Sequence, residues 1–147
     1  NDSQSVIDIF NMLWEQLGPE SFRLLFPVLL TDNGSEFSNP AVIETAPDAQ
    51  TRSRVFYCDP CASWQKGHVE RNHEFLRLVR PKGESFDDLD QQKVNEMLSH
   101  VNSYSRPVLG NKTPHELFSI LYGEEVLEKL GIRRIPANDI VLKPRLI

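Results

Sequence analysis

The sequence predicts an α/β fold that is rich in helix and short of strand. Three observations carry this. Residues 4–17 hold an amphipathic helical pattern, and residues 24–31, Leu-Leu-Phe-Pro-Val-Leu-Leu-Thr, form a nearly continuous apolar run. Such a run suits a strand buried on both faces of a parallel sheet. One further short strand pattern follows at residues 54–58, and everything after it reads as helix or tail. Two strands are a poor core for so many helices, so strands are expected to be missing on the N-terminal side.

In the first helix Val6, Ile9, Phe10, Leu13, Trp14 and Leu17 recur at steps of three and four and make one apolar face. Ser3 or Ser5 can cap it and Gly18-Pro19 stops it. Pro27 moves the start of the first strand beyond itself. Asp32-Asn33-Gly34 is a turn signal, and Asn39-Pro40 opens a short helix over residues 39–46. Residues 54–58 form the second strand, ended by Asp59-Pro60, and 61–67 read as a loop. A helix over 67–79 is stopped by Pro81-Lys82-Gly83. Asp87 or Asp88 caps the next, over about 89–103. Thr113-Pro114-His115-Glu116 joins a Thr cap, a first-position Pro and a third-position Glu, and starts a helix that runs to Tyr122. A short helix over 124–130 ends at Gly131, and the tail over 135–144 is extended or irregular.

A chain of 147 residues, 39% hydrophobic and 25% charged, is sufficient for one domain with a real core. No apolar run approaches the roughly 20 residues that span a membrane. The first residues, Asn1-Asp2-Ser3-Gln4, lack the basic start of a signal peptide and an initiator Met, so a piece of a longer chain is expected. Two cysteines make no disulfide framework, which points to a reducing, cytoplasmic setting. The net charge of −5 argues against indiscriminate nucleic-acid binding. Residues 63–82 depart from this balance: Lys66, Arg71, Arg77, Arg80 and Lys82 face only Glu70 and Glu74. A basic strip of that kind is an electrostatic footprint for phosphates.

Asp32 follows the first strand, at the end where open α/β sheets bind ligands. A carboxylate there suits a divalent cation, and Glu70 on the 67–79 helix can supply a second. Taken singly, Asp32 is equally a turn residue and Glu70 a solvated helix carboxylate. Glu70, His73, Glu74 and Arg77 share one helix face, while Val69, Leu76 and Val79 lie on the inward stripe. Arg77 can therefore grip a phosphate near a metal held by Glu70, or pair with Glu74. A rival set, Cys58, Cys61, His68 and His73, has the residue types of a zinc site, but its gap of six residues is too short for a finger. A redox role for Cys58-Asp59-Pro60-Cys61 lacks its strand–helix–strand setting. The plainer reading makes Cys58 a strand-end core residue and Cys61 a free thiol.

Two motifs are recognisable in order: Leu30-Thr31-Asp32-Asn33-Gly34-Ser35-Glu36-Phe37 and Trp64-Gln65-Lys66-Gly67-His68-Val69-Glu70-Arg71-Asn72. Together they resemble the second and third acidic motifs of retroviral-integrase-type transposases. Phe75-Leu76-Arg77, Pro81-Lys82-Gly83, Asn102-Ser103-Tyr104, Arg106-Pro107 and Lys112-Thr113-Pro114-His115-Glu116-Leu117-Phe118 extend the likeness to bacterial insertion-sequence transposases of the insertion-sequence-thirty family. The resemblance implies an RNase H-like integrase catalytic core, a mixed sheet flanked by helices with an Asp-Asp-Glu triad binding Mg²⁺ or Mn²⁺. It implies strand cleavage at transposon ends and transfer of a 3′-hydroxyl into target DNA. By position, Asp32 and Glu70 are the second and third catalytic, metal-binding acids. Lys66, Arg71, Asn72, His73, Arg77 and Lys82 are the expected DNA contacts. The first Asp has no match, because Asp2 and Asp8 belong to the opening helix.

The chain is thus expected to be the C-terminal part of such a core, truncated at its N-terminus with the first three strands missing. Residues 1–103 would form the partial core and 104–147 a helical extension and tail. Its expected partners are DNA and further copies of itself. Alone it is expected to be inactive, with weak metal binding at most. The alternative is a non-catalytic DNA-binding or oligomerisation remnant of a transposase.

Overall fold

The computed structural model describes residues 3–59 and 63–147, without the side chains at 63, 66 and 68–70. The chain divides into two compact units, Asn1–Gln65 and Lys66–Ile147.

In the first unit, α1 (Ser3–Leu17) buries Trp14 and Leu17 of the predicted face, and also Ile7, which the periodicity had not assigned to it, while Ile9 of that face is 53% exposed. Gly18, at φ 81°, ends it by adopting a conformation that residues with a Cβ avoid. A second helix, α2 (Pro19–Leu25), starts at once, with Pro19 in its first turn. The sequence had not predicted this helix; it had read Leu24 and Leu25 as part of the apolar run that leads into the strand. Proline suits a first helical turn, and the turn then continues until Phe26 leaves helical geometry. Strand β1 (Val28–Thr31) begins after Pro27, as expected. It pairs in parallel with β2 (Arg54–Tyr57), Val28 opposite Arg54 and Thr31 opposite Tyr57. The crossover carries a one-turn 3-10 segment, Ser35–Phe37, and α3 (Pro40–Glu44). Asn39 stands at the N-cap of α3 without making a side-chain cap bond.

Burial of β1 on both faces is not observed. Val28 is 54% exposed, Leu30 46% and, across the pair, Phe56 55%. These exposures leave one face of the two-stranded sheet open among the described residues. The core lies against the other face. Phe22 is fully buried, with the rings of Phe10, Trp14 and Phe26 at 6.3, 5.3 and 5.0 Å. Arg52 is buried beside it and spans from α1 to α3. Its guanidinium donates to Asn11 Oδ1 at 2.7 Å, Ile43 O at 2.8 Å and, more weakly, Val42 O at 3.4 Å.

Residues 61–67 are not simply a loop: Ser63–Lys66 forms a 3-10 turn that leads into α4 (Gly67–Val79). Gln65 holds its near end to the end of β2. Its amide donates to Asp59 Oδ2 and accepts from Asp59 N–H, both at 3.0 Å.

In the second unit α4 is followed by α5 (Gln91–Ser103), α6 (Pro114–Tyr122) and α7 (Glu124–Lys129). Val79 on the inward stripe of α4 is buried. The cap of α5 is Asp90, which accepts from Lys93 N–H at 2.8 Å, and not Asp87 or Asp88. Those two carboxylates instead serve the preceding loop, bonded to Ser85 and Arg80. Thr113 and Glu116 form the expected reciprocal cap of α6, both bonds 3.0 Å. The tail, expected to be irregular, carries 3-10 turns at Ala137–Asp139 and Pro144–Leu146. One face of α5 receives it: Ser99 Oγ, Ser103 Oγ and His100 Nδ1 accept the N–H groups of Arg133, Ile135 and Val141 at 2.9 to 3.1 Å. Because Nδ1 accepts, neutral His100 carries its proton on Nε2, which faces Glu96 Oε1 at 3.1 Å. Glu96 also receives Arg133 through both carboxylate oxygens at 2.7 Å. No described helix is long and apolar enough to cross a membrane.

Candidate nucleic-acid interface

Asp32 is the first residue beyond β1 and is exposed. The ladder closes just behind it, where Cys58 N–H donates to Thr31 O at 2.8 Å. The turn after it is also held: Tyr57 on β2 donates its hydroxyl to Phe37 O at 2.5 Å. Gly34 lies tight in that turn, where a β-carbon would run into the carboxylate of Glu36. A carboxylate thus stands at the carboxyl end of a parallel strand pair, on a turn pinned to the neighbouring strand. Cys58 is buried at the end of β2, consistent with a core role.

Glu70 falls on α4, as predicted, in the second unit. Its side chain lies outside the described residues, as do those of Lys66 and His68 and all of Cys61. The expected pairing of Asp32 with Glu70, and the rival zinc set, therefore fall outside the described structure. Among the described residues no three His, Cys, Asp or Glu side chains gather as a metal site.

The structure divides the expected DNA contacts between two clefts of the second unit. His73, Arg77 and Lys82 line one of about 270 Å³, together with Phe86. Arg80, beside them, is committed to the loop. It donates to Ser85 O and Asp88 and lies 3.5 Å from Glu84, which leaves Arg77 and Lys82 outside these ion pairs. Arg71 and Asn72 line a second cleft, of about 260 Å³, with Asn102 and Arg106. Arg106 is buried, stacks on Phe75 with its guanidinium carbon 3.3 Å from the ring centroid, and donates to Val101 O at 3.1 Å. Its Nε has no acceptor among the described residues, and burial pushes its pKa down. Reasoning from sequence had not placed Phe86 or Arg106 at either site. An isolated aromatic in a polar loop has no periodicity, and Arg106 reaches its cleft only once α5 turns back.

No protein-family model matches the chain, and no solved structure does. Known proteins do. The chain is 28% identical over 94 residues to the transposase of insertion sequence element IS4351 from Bacteroides fragilis, a match covering 64% of this chain and 28% of that transposase. It is 29% identical over 91 residues to the transposase of IS1086 from Cupriavidus metallidurans, covering 62% and 26%. It is 30% identical over 67 residues to transposase InsI of IS30A from Escherichia coli, covering 46% and 18%. In the first two cases the match spans about a quarter of the relative. These partial matches to several insertion-sequence transposases support a stretch of transposase, and they do not favour a non-catalytic remnant.

Proposed function

We propose that this chain carries part of an RNase H-like, integrase-type core that cleaves and joins DNA with the help of a divalent metal. The observation that carries the reading is the position of Asp32 at the carboxyl end of a parallel strand. Ligands bind at that end of open α/β sheets. Similarity to insertion-sequence transposases supplies the class of reaction. Carboxylate oxygens are hard donors and fit Mg²⁺ or Mn²⁺, with Asp32 and Glu70 as the residues that would hold the ion. A bound divalent ion stabilises charge on the attacking and leaving oxygens of a phosphodiester in such reactions. The chain's own contributions are to keep Asp32 fixed through the Tyr57–Phe37 brace and to seat the DNA backbone. Lys66, Arg71, Asn72, His73, Arg77 and Lys82 are assigned to the backbone, with Arg106 stiffening the floor under Arg71.

Titration with Mn²⁺, followed by calorimetry, tests the metal assignment. Asp32→Asn and Glu70→Gln should each weaken binding at least several-fold, and binding unchanged in both would refute it. With two of the three expected carboxylates, the chain by itself should join no DNA ends. Robust Mg²⁺-dependent strand transfer by this chain alone would overturn that part of the reading.

A further inference from the structure

We propose that Phe86 is a stacking platform for an unpaired DNA base, with Arg77, Lys82 and His73 taking the phosphates beside it. The proposal rests on the reading of the chain as one that acts on DNA, and it adds a recognition site to that reading. Phe86 is 57% exposed and lines the cleft with these basic residues. Its loop is not slack. Arg80 bonds Ser85 O and Asp88, Ser85 Oγ donates to Asp87 Oδ2 at 2.6 Å and accepts from Asp87 N–H at 3.1 Å, and Lys93 Nζ donates to Asp88 O at 3.1 Å. Backbone bonds Glu84 N–H to Pro81 O, at 3.2 Å, and Leu89 N–H to Phe86 O, at 3.1 Å, close the loop on either side of the ring.

Two consequences follow. Glu84 and Asp88 share the cation of Arg80, which offsets part of their charge, and Asp87 is bonded to Ser85 within the loop. The aromatic ring is held in water by a braced backbone, which reduces the ordering cost when a flat partner lands on it. A basic cleft with one exposed aromatic is how proteins hold single strands, because every base has a π-face. A paired base inside a duplex offers only its edge, so the ring selects an unpaired base. Leu76 and Pro81 add apolar lining to the same cleft.

The test is fluorescence anisotropy of a labelled dT12 single strand and of a blunt 12-base-pair duplex, each titrated with the full 147-residue chain. Phe86→Ala should weaken binding of the single strand about tenfold and of the duplex less than about twofold, whereas Phe86→Trp should retain single-strand affinity. Equal thermal midpoints of the parent and Phe86→Ala show that the loop is intact. Phe86→Ala binding the single strand within about twofold of the parent overturns the stacking proposal alone, and so does an equal loss on both DNAs. If the unaltered chain binds neither DNA, the DNA reading falls and this proposal with it.

Discussion

Removing the buried guanidinium of Arg52 tests what ties α1 and α3 to the start of β2. Arg52 lies just before β2, and its two short bonds reach α1 at Asn11 and α3 at Ile43. Arg52→Met keeps the length of the side chain and its contact with Phe10 and Phe22 but leaves both acceptors bare. Hydrogen bonds to a charged donor contribute about 1.5–3 kcal/mol each. The longer bond to Val42 O adds little. Against this stands the relief of a buried cation: burial lowers the pKa of Arg52, and no carboxylate pairs with it among the described residues. The net loss should be about 3 kcal/mol, a large share of the roughly 5–15 kcal/mol of a small domain. Arg52→Lys should recover little, since a single ammonium lacks the planar fork that meets both acceptors. Urea unfolding followed by tryptophan fluorescence reads this out selectively. Both tryptophans, Trp14 and Trp64, lie in the first unit, and only Trp14 is buried. A change below about 1 kcal/mol for Arg52→Met, at unchanged slope, would refute the reasoning, because desolvation relief would then offset the lost bonds.

Other outcomes follow from the second unit. Thr113→Ala should cost about 1 kcal/mol by uncapping α6, measured as a lowered thermal midpoint. The Arg133 hydrogen bond, ahead of His100, holds the Glu96 carboxyl below its ordinary value. A carboxylate with a depressed folded pKa contributes stability that is whole above its unfolded value of about 4.3 and is lost as pH falls through the lower folded value. Arg133→Gln should therefore flatten the dependence of stability on pH in that acidic range, and an unchanged profile would contradict it. Arg77→Ala and Lys82→Ala should each reduce the slope of log affinity for duplex DNA against log salt by about 1. Gly131→Ala should destabilise by at least about 1 kcal/mol in chemical denaturation. Gly131 has φ 69°, and a β-carbon there would strike the Asn95 amide.

Local signals carried far in this chain where side chain and backbone chemistry agree. The span of α4, the reciprocal cap of α6 and the start of β1 after Pro27 were all legible, because Pro, Gly and Thr act on their nearest backbone neighbours. Helix α2 was not. Leu24 and Leu25 satisfy an apolar strand pattern and a helix equally, and only the entry at Pro19 decides between them. Three acidic residues in a row of four, Asp87, Asp88 and Asp90, compete for one cap, and the loop's need for Arg80 settles the choice. Of the candidate site, only the elements that carry its residues were legible. Its division into two clefts was not, because one is lined by the loop over 80–86 and the other by Asn102 of α5 and the segment over 106–114.

The charge of the chain divides with its packing. The unit Asn1–Gln65 holds three basic residues against nine acidic ones, and its three arginines are all engaged: Arg23 with Gln50, Arg52 in the core, Arg54 with Glu44. The unit Lys66–Ile147 holds 13 basic against 12 acidic. A polyanion approaching this protein is repelled by one half and tolerated by the other. The acidic excess of the first unit attracts cations, the nearly balanced second unit opposes phosphates little, and added salt screens both fields.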